Sequence, residues 1–226
     1  MNRENRKSRR SKRRRSRRGS RLKSRIFNDG ISDYLRSTVD KGSKIISTND
    51  NLFTRYYFVT VDPDVIKDPF TEYDYVSNKI QEVIHHPKGW TRFGYKFHYL
   101  EPQFGIELRK NKQNWHNVFW IRLSSANSVE KTCGFLDLSC ADLSVNVIYL
   151  NDKNWVYSTA ASGLSPTEYQ YQLCGHEIAH LLNKHHPKQW PNDPNKPCSI
   201  LHQQTVKPSR NSCYPNIFPL DDDNVL

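Results

Sequence analysis

The segment Cys174–Trp190 reads CGHEIAHLLNKHHPKQW. His176 and His180 stand four residues apart, and Glu177 directly follows the first of them. Just upstream, Ser165-Pro166-Thr167-Glu168 offers a serine N-cap, a proline at the first helical position and a glutamate three residues after the cap. That capping box predicts a helix running about 16 residues to Leu182. Asn183 follows, a residue type that tolerates the left-handed conformation at a helix end. On such a helix four residues turn through about 400° and rise about 6 Å, so His176 and His180 project from one face and can share one cation. Glu177 stands about 100° round from His176. It is badly placed as a third ligand and well placed to take a proton from a water at the metal.

Beyond the helix end the question is what completes the ligand set. A glutamate on a later helix is one solution, but the chain has no glutamate after Glu177. The pattern H-E-x-x-H-x-x-G-x-x-H puts a histidine six residues after the second. Here that residue is His186, and Asn183 stands at the glycine position where the chain must turn away. His185 is expected to be an exposed neighbour, and Asp193 is a more remote alternative ligand. Zn2+ is the expected ion, since it takes imidazole ligands in a tetrahedron and keeps one position open in catalytic sites. A bare H-E-x-x-H also arises by chance on surface helices and in hydrogen-bonded core histidine pairs, so the rest of the chain has to be weighed with it.

Working outward, Tyr56–Val61 is a β-branched and aromatic run closed by Asp62-Pro63, which predicts a strand. Asp68-Pro69 opens a helical stretch to about His85, with Val76, Ile80, Val83 and Ile84 on one stripe, and His86-Pro87-Lys88-Gly89 stops it. Further strands are expected at Tyr95–Leu100, Phe104–Leu108, Val118–Leu123 and Val145–Leu150. From His185 to Leu226 the chain carries seven prolines and reads as ordered irregular coil. Strand, helix, several strands, helix and coil make an α+β fold, with helices packed on a mixed sheet.

Several short stretches in this order resemble the metzincins. The similarity is closer to an uncharacterised family of metzincin-like predicted zinc peptidases found in actinobacteria. It spans Tyr57 to Pro219 and includes His86-Pro87-Lys88-Gly89-Trp90, Cys133 and Cys140 ahead of a strand ending Asn151-Asp152-Lys153-Asn154-Trp155, and the histidine motif. It continues through Leu201-His202-Gln203-Gln204-Thr205 and Cys213-Tyr214-Pro215-Asn216. The resemblance implies a zincin-type twisted mixed sheet with a backing helix, an active-site helix and an irregular C-terminal lobe. It also implies an apolar turn beneath the metal, where the family places methionine and this chain has Leu201 in Cys198-Ser199-Ile200-Leu201. Leucine has a similar volume, so this departure is mild; Asn183 in place of glycine is a second. Tyr214 is a candidate transition-state stabiliser, as tyrosines are in some metzincins, with packing as the plainer reading; His202 is a further near-site candidate.

The expected activity is hydrolysis of amide bonds in a peptide or protein substrate by a zinc-activated water, with Glu177 as general base. The alternatives are a zinc-containing binding module without catalysis, and a nucleic-acid-associated structural protein. A site without chemistry has no use for a base, so Glu177 favours the first. Five cysteines leave one unpaired: Cys133/Cys140 and Cys198/Cys213 are candidate disulfides with Cys174 free, and five reduced thiols are the other reading.

The formal net charge of +11 is carried unevenly. Residues 1–26 hold 14 Lys and Arg against one acid, Glu4, whereas the remainder has 20 bases and 22 acids. The chain divides into a disordered Arg/Ser-rich arm (1–26), a polar connector (27–54) and a nearly neutral metzincin-like domain (55–226) with ordinary apolar content. The arm, with Arg9, Arg10, Lys12, Arg13, Arg14, Arg15, Arg17 and Arg18 at its centre, suits non-specific nucleic acid through counterion release. It lacks the interleaved aromatics of base stacking; nuclear import is its competing role. No run of 18 apolar residues occurs, so no membrane span is expected, and no apolar signal segment opens the chain. Intracellular, nuclear or virion-packaged settings are favoured over secretion, and a basic arm on a compact domain suits packaging with DNA in a large virus. The full chain should be retained on heparin or DNA, with affinity falling about 10³-fold or more between 50 and 200 mM salt. A chain lacking residues 1–26 should pass through. Equal retention of both would refute the role of the arm.

Overall fold

A computed structural model describes residues 53–112, 117–135, 137–189, 193–204 and 213–224. The basic arm and residues 27–52 of the connector lie outside these. In chain order the described elements are β1 (Thr54–Val61), a 3-10 turn (Pro69–Thr71), α1 (Tyr73–Ile84), a second 3-10 turn (Trp90–Phe93), β2 (Lys96–Tyr99) and α2 (Pro102–Arg109). There follow β3 (Val118–Ser124), α3 (Ala126–Cys133), β4 (Cys140–Asp142), β5 (Val147–Asn151), α4 (Asp152–Tyr157), α5 (Pro166–Leu181) and a last 3-10 turn (Asp221–Asn224).

The five strands form one sheet in the order β2-β1-β3-β5-β4. All pairings are parallel except the last, in which β4 runs antiparallel to β5 and ends the sheet. Side-chain alternation along the strands separates two cores. Tyr57, Val59, Phe119, Ile121 and Leu123 point to the face covered by Val76 and Ile80 of α1 and Leu173 of α5. Phe58 and Val118 point to the other, with Leu108 of α2 packed against them. This is the α+β architecture with a mixed sheet, a backing helix and a second long helix that the sequence pattern implies. Among the described residues no helix is long and apolar enough to cross a membrane.

The element at Phe104–Leu108, read from sequence as a strand, is helix α2. Its apolar residues are too few to separate a period of 2 from one of 3.6. The deciding signal is Pro102, which occupies the first helical turn after Glu101 in extended conformation. The stretch opened by Asp68 is also divided. Asp68 and Thr71 close a capping box around the 3-10 turn, and Glu72 with ψ 141° breaks the chain before α1 begins. Helix α3, helix α4 and the three-residue strand β4 were not anticipated, although Ser125 caps α3 and Gly134 with φ 79° ends it.

Helix α5 is the element that carries the histidines. Ser165 accepts from the Glu168 amide at 3.4 Å, and the Glu168 carboxylate accepts from the Ser165 amide at 2.9 Å, so the capping box forms as read. The helix packs against α1, α4 and the edge strand β4. From the 3-10 turn after α1, the buried Trp90 donates its indole N–H to the Gly175 carbonyl at 2.9 Å, one residue before His176. Both candidate disulfides are formed: Cys133–Cys140 joins α3 to β4, and Cys198–Cys213 closes the irregular lobe; Cys174 is free and buried.

Helix α2 touches β1 through Gly105, where an added Cβ would overlap the Phe58 ring. Alanine gains about 1 kcal/mol over glycine in helix propensity, but overpacking a closed core costs about 1–3 kcal/mol. Gly105→Ala should therefore lower the melting temperature of the chain by a few degrees. An unchanged or raised value would contradict the tight contact.

Candidate metal centre

The C-terminal end of α5 is built by its own sequence. Leu182 is the C-cap and Asn183 adopts φ 63°. The Asn183 amide donates to the His180 carbonyl and the Lys184 amide to the Ala179 carbonyl, both at 2.9 Å. These are the two bonds of a Schellman motif, and they reverse the chain within one turn. His186 then comes back beside the helix, and Pro187 after it disfavours any return to helical backbone.

The reversal brings three imidazoles together. Nε2 of His180 lies 3.2 Å from Nε2 of His176 and 3.0 Å from Nε2 of His186, and the third side of the triangle is 3.1 Å. Nδ1 of His176 donates to the Ile200 carbonyl at 2.8 Å, and Nδ1 of His180 to the Lys184 carbonyl at 2.9 Å. Because a carbonyl only accepts, the proton of each neutral ring sits on Nδ1 and the Nε2 lone pair faces the triangle. Convergent lone pairs repel, and a shared cation turns the repulsion into ligation. Bonds of about 2.0–2.1 Å in a tetrahedron set nitrogens roughly 3.3 Å apart, close to the spacing found. The cluster can hold a metal ion.

Electrostatics agree. Burial, and then the adjacent His180, push His176 down to about 3. Burial also lowers His180, and lowers His186 together with its histidine neighbours. The rings are held in the neutral form that ligates metals.

Glu177 is buried beside them, and among the described residues its Oε2 has no hydrogen-bond partner. Burial raises its carboxyl to about 8. It borders a cavity of about 20 Å³ shared with Gln172, whose Oε1 is likewise buried and finds no partner among the described residues. That volume admits about one water. Glu177 also lines a larger open cleft of about 250 Å³ with the three histidines. Phe135, Ala141 and Leu143 form the cleft's apolar side, and Gln203 adds a polar group. Phe135 and Leu143 are exposed despite their size.

Other site candidates are placed less centrally. Leu201 is buried in the main core, next to Ile200, whose carbonyl holds His176. Gly175 lacks the Cβ that Ile200 Cδ1 would meet at 2.5 Å, which lets this turn approach the helix closely. His202 is buried and bonds the Gln189 carbonyl at 3.1 Å. Tyr214 is 48% exposed, pairs through its backbone with Pro197 and is not among the residues lining the cleft. His185 is exposed, and Asp193 pairs with Lys196 and is not a member of the cluster. Burial raises the Cys174 thiol, leaving it a poor nucleophile. Sequence reasoning missed Gln172, which stands one helical turn before His176 on the same face, so helical spacing could have found it. The basic arm lies outside the described residues.

Purified protein should carry one metal per chain. His176→Ala, His180→Ala and His186→Ala should each lose it, and His185→Ala should keep it, as read by elemental analysis. Retention in His186→Ala with loss in His185→Ala would overturn the ligand set.

Residues 30–226 match the family described as Protein of unknown function (DUF3152). Neither a curated protein nor a solved structure matches the chain. The matched region begins inside the stretch that the sequence reading treats as a connector. It covers the sheet, helix α5 and all three histidines, and on this match the chain belongs to the DUF3152 family.

Proposed function

We propose that the domain is a zinc-dependent peptidase. The observation that carries the reading is the buried Glu177, whose Oε2 finds no hydrogen-bond partner among the described residues, next to three convergent imidazole nitrogens. Three histidine ligands with the fourth direction left to solvent match the chemistry of catalytic zinc. When bound, zinc supplies a Lewis acid that lowers the pKa of water and polarises a carbonyl. Near such a cation Glu177 is the carboxylate at neutral pH, because an adjacent positive charge offsets the burial that otherwise keeps it protonated. It accepts the proton of the attacking water and returns it to the leaving amine. Without that cation a buried carboxyl with a raised pKa is a cost without a function.

The substrate is an extended peptide segment. A cleft of about 250 Å³ falls just below the usual range for sites that enclose a small ligand, about 300–1,000 Å³. It suits a few residues of a longer chain. Strand β4, whose Cys140 and Ala141 line the cleft, pairs among the described residues with β5 alone and so leaves an edge for backbone pairing. Phe135 and Leu143 favour an apolar side chain beside the scissile bond. The resemblance to metzincin-like peptidases supports the same reading. The basic arm adds sequence-blind nucleic-acid contact in this proposal.

Glu177→Gln keeps the shape of the side chain and cannot take the proton. It should retain zinc and folding and lose about 10²-fold or more of the activity on a broad peptide library. Wild-type rates in this variant would exclude Glu177 as base; a zinc-loaded, folded wild type that cleaves nothing would exclude the peptidase reading.

A further inference from the structure

Asp223 belongs to the 3-10 turn Asp221–Asn224, far in sequence from the histidines, and its side chain is buried. Its carboxylate accepts the Ser199 hydroxyl, the Ile200 amide at 3.3 Å and the Leu220 amide at 2.7 Å. The Ser199 oxygen in turn accepts the Leu201 amide at 3.0 Å. That amide and the Ile200 carbonyl are the two ends of one peptide unit, and the carbonyl accepts Nδ1–H of His176 at 2.8 Å.

We infer that Asp223 is a positioning residue of the metal centre, acting on His176 through Ser199 and the Ile200–Leu201 peptide. The inference rests on the metal reading of the three histidines. Every bond in the chain points the same way: His176 donates to the peptide carbonyl, the peptide N–H to Ser199, and Ser199 to the carboxylate. Bonds aligned head to tail polarise one another. Negative charge at Asp223 therefore makes the Ile200 oxygen a stronger acceptor and His176 Nε2 a stronger donor to a metal. A carboxylate hydrogen-bonded directly to a ligating histidine does the same over a shorter distance. The same 3-10 turn also reaches the second ligand: the Asn224 carbonyl accepts Lys184 Nζ at 2.9 Å, and the Lys184 carbonyl accepts Nδ1 of His180. Docking of the turn has a separate anchor, since Arg92 binds the Pro219 carbonyl at 2.9 Å and Asp221 at 2.8 Å. This separates the relay from mere attachment.

The test uses the full chain, zinc competition against a chromogenic chelator, and the visible d–d band of the Co2+-loaded protein. Asp223→Asn and Ser199→Ala should each weaken zinc binding about 10-fold or more and shift the Co2+ band. Ser199→Ala leaves the carboxylate its two amide donors, so it carries the test if Asp223→Asn fails to fold. Arg92→Met should leave affinity and band unchanged. Wild-type affinity and spectrum in Ser199→Ala would overturn the relay. So would an equal loss in Arg92→Met, which would reduce Asp223 to a tether. A wild type that binds neither Zn2+ nor Co2+ would overturn the metal reading itself and this inference with it.

Discussion

Three imidazole nitrogens facing one another at 3.0–3.2 Å form an arrangement that neutral protein alone does not favour. Each ring is oriented from behind or carried in by a turn, so the lone pairs have little freedom to relax. The helical spacing of four residues sets one pair. The Schellman reversal at Asn183 sets the third. Much of the surrounding structure serves these two local facts: the Trp90 bond to Gly175, the close approach of Ile200, and the Lys184 carbonyl over His180.

The same logic explains why so much polarity is buried here. Burial disfavours the ionised form of Glu177 and raises its carboxyl to about 8. His176 is buried with its ring held neutral, and Gln172, which lines the same small cavity, has a buried oxygen without a partner among the described residues. Such groups are expensive in an apolar core and useful around a cation and a water. The fold gathers them on the side of α5 that lines the small cavity and the cleft, while Ile178 on the opposite side joins the main core. The exposed Phe135 and Leu143 stand across the cleft from that polar face.

Legibility in the sequence followed the range of the interactions. The capping box at Ser165, the helical period of the histidines and the left-handed Asn183 are local, and all three could be read directly. His186 followed from them by counting. Strands β1 and β3 were legible because aromatic and β-branched runs have few other uses. The segment at Phe104–Leu108 was misread because its apolar run was too short to carry a period. Strand β4 was missed because three residues carry no period and its pairing with β5 is a tertiary fact. The roles of Ile200, Ser199 and Asp223 were beyond reach, since a backbone carbonyl leaves no trace in side-chain identity and the residues join only through folding.

In the proposed centre His176, His180 and His186 bind one zinc through nitrogen. X-ray absorption at the zinc edge of the loaded full chain tests it most directly. Ligation by the three histidines predicts nitrogen or oxygen neighbours alone at about 2.0–2.1 Å, with the outer-shell pattern of about three imidazoles. A sulfur neighbour at about 2.3 Å, or a shell with fewer than two imidazoles, would contradict it.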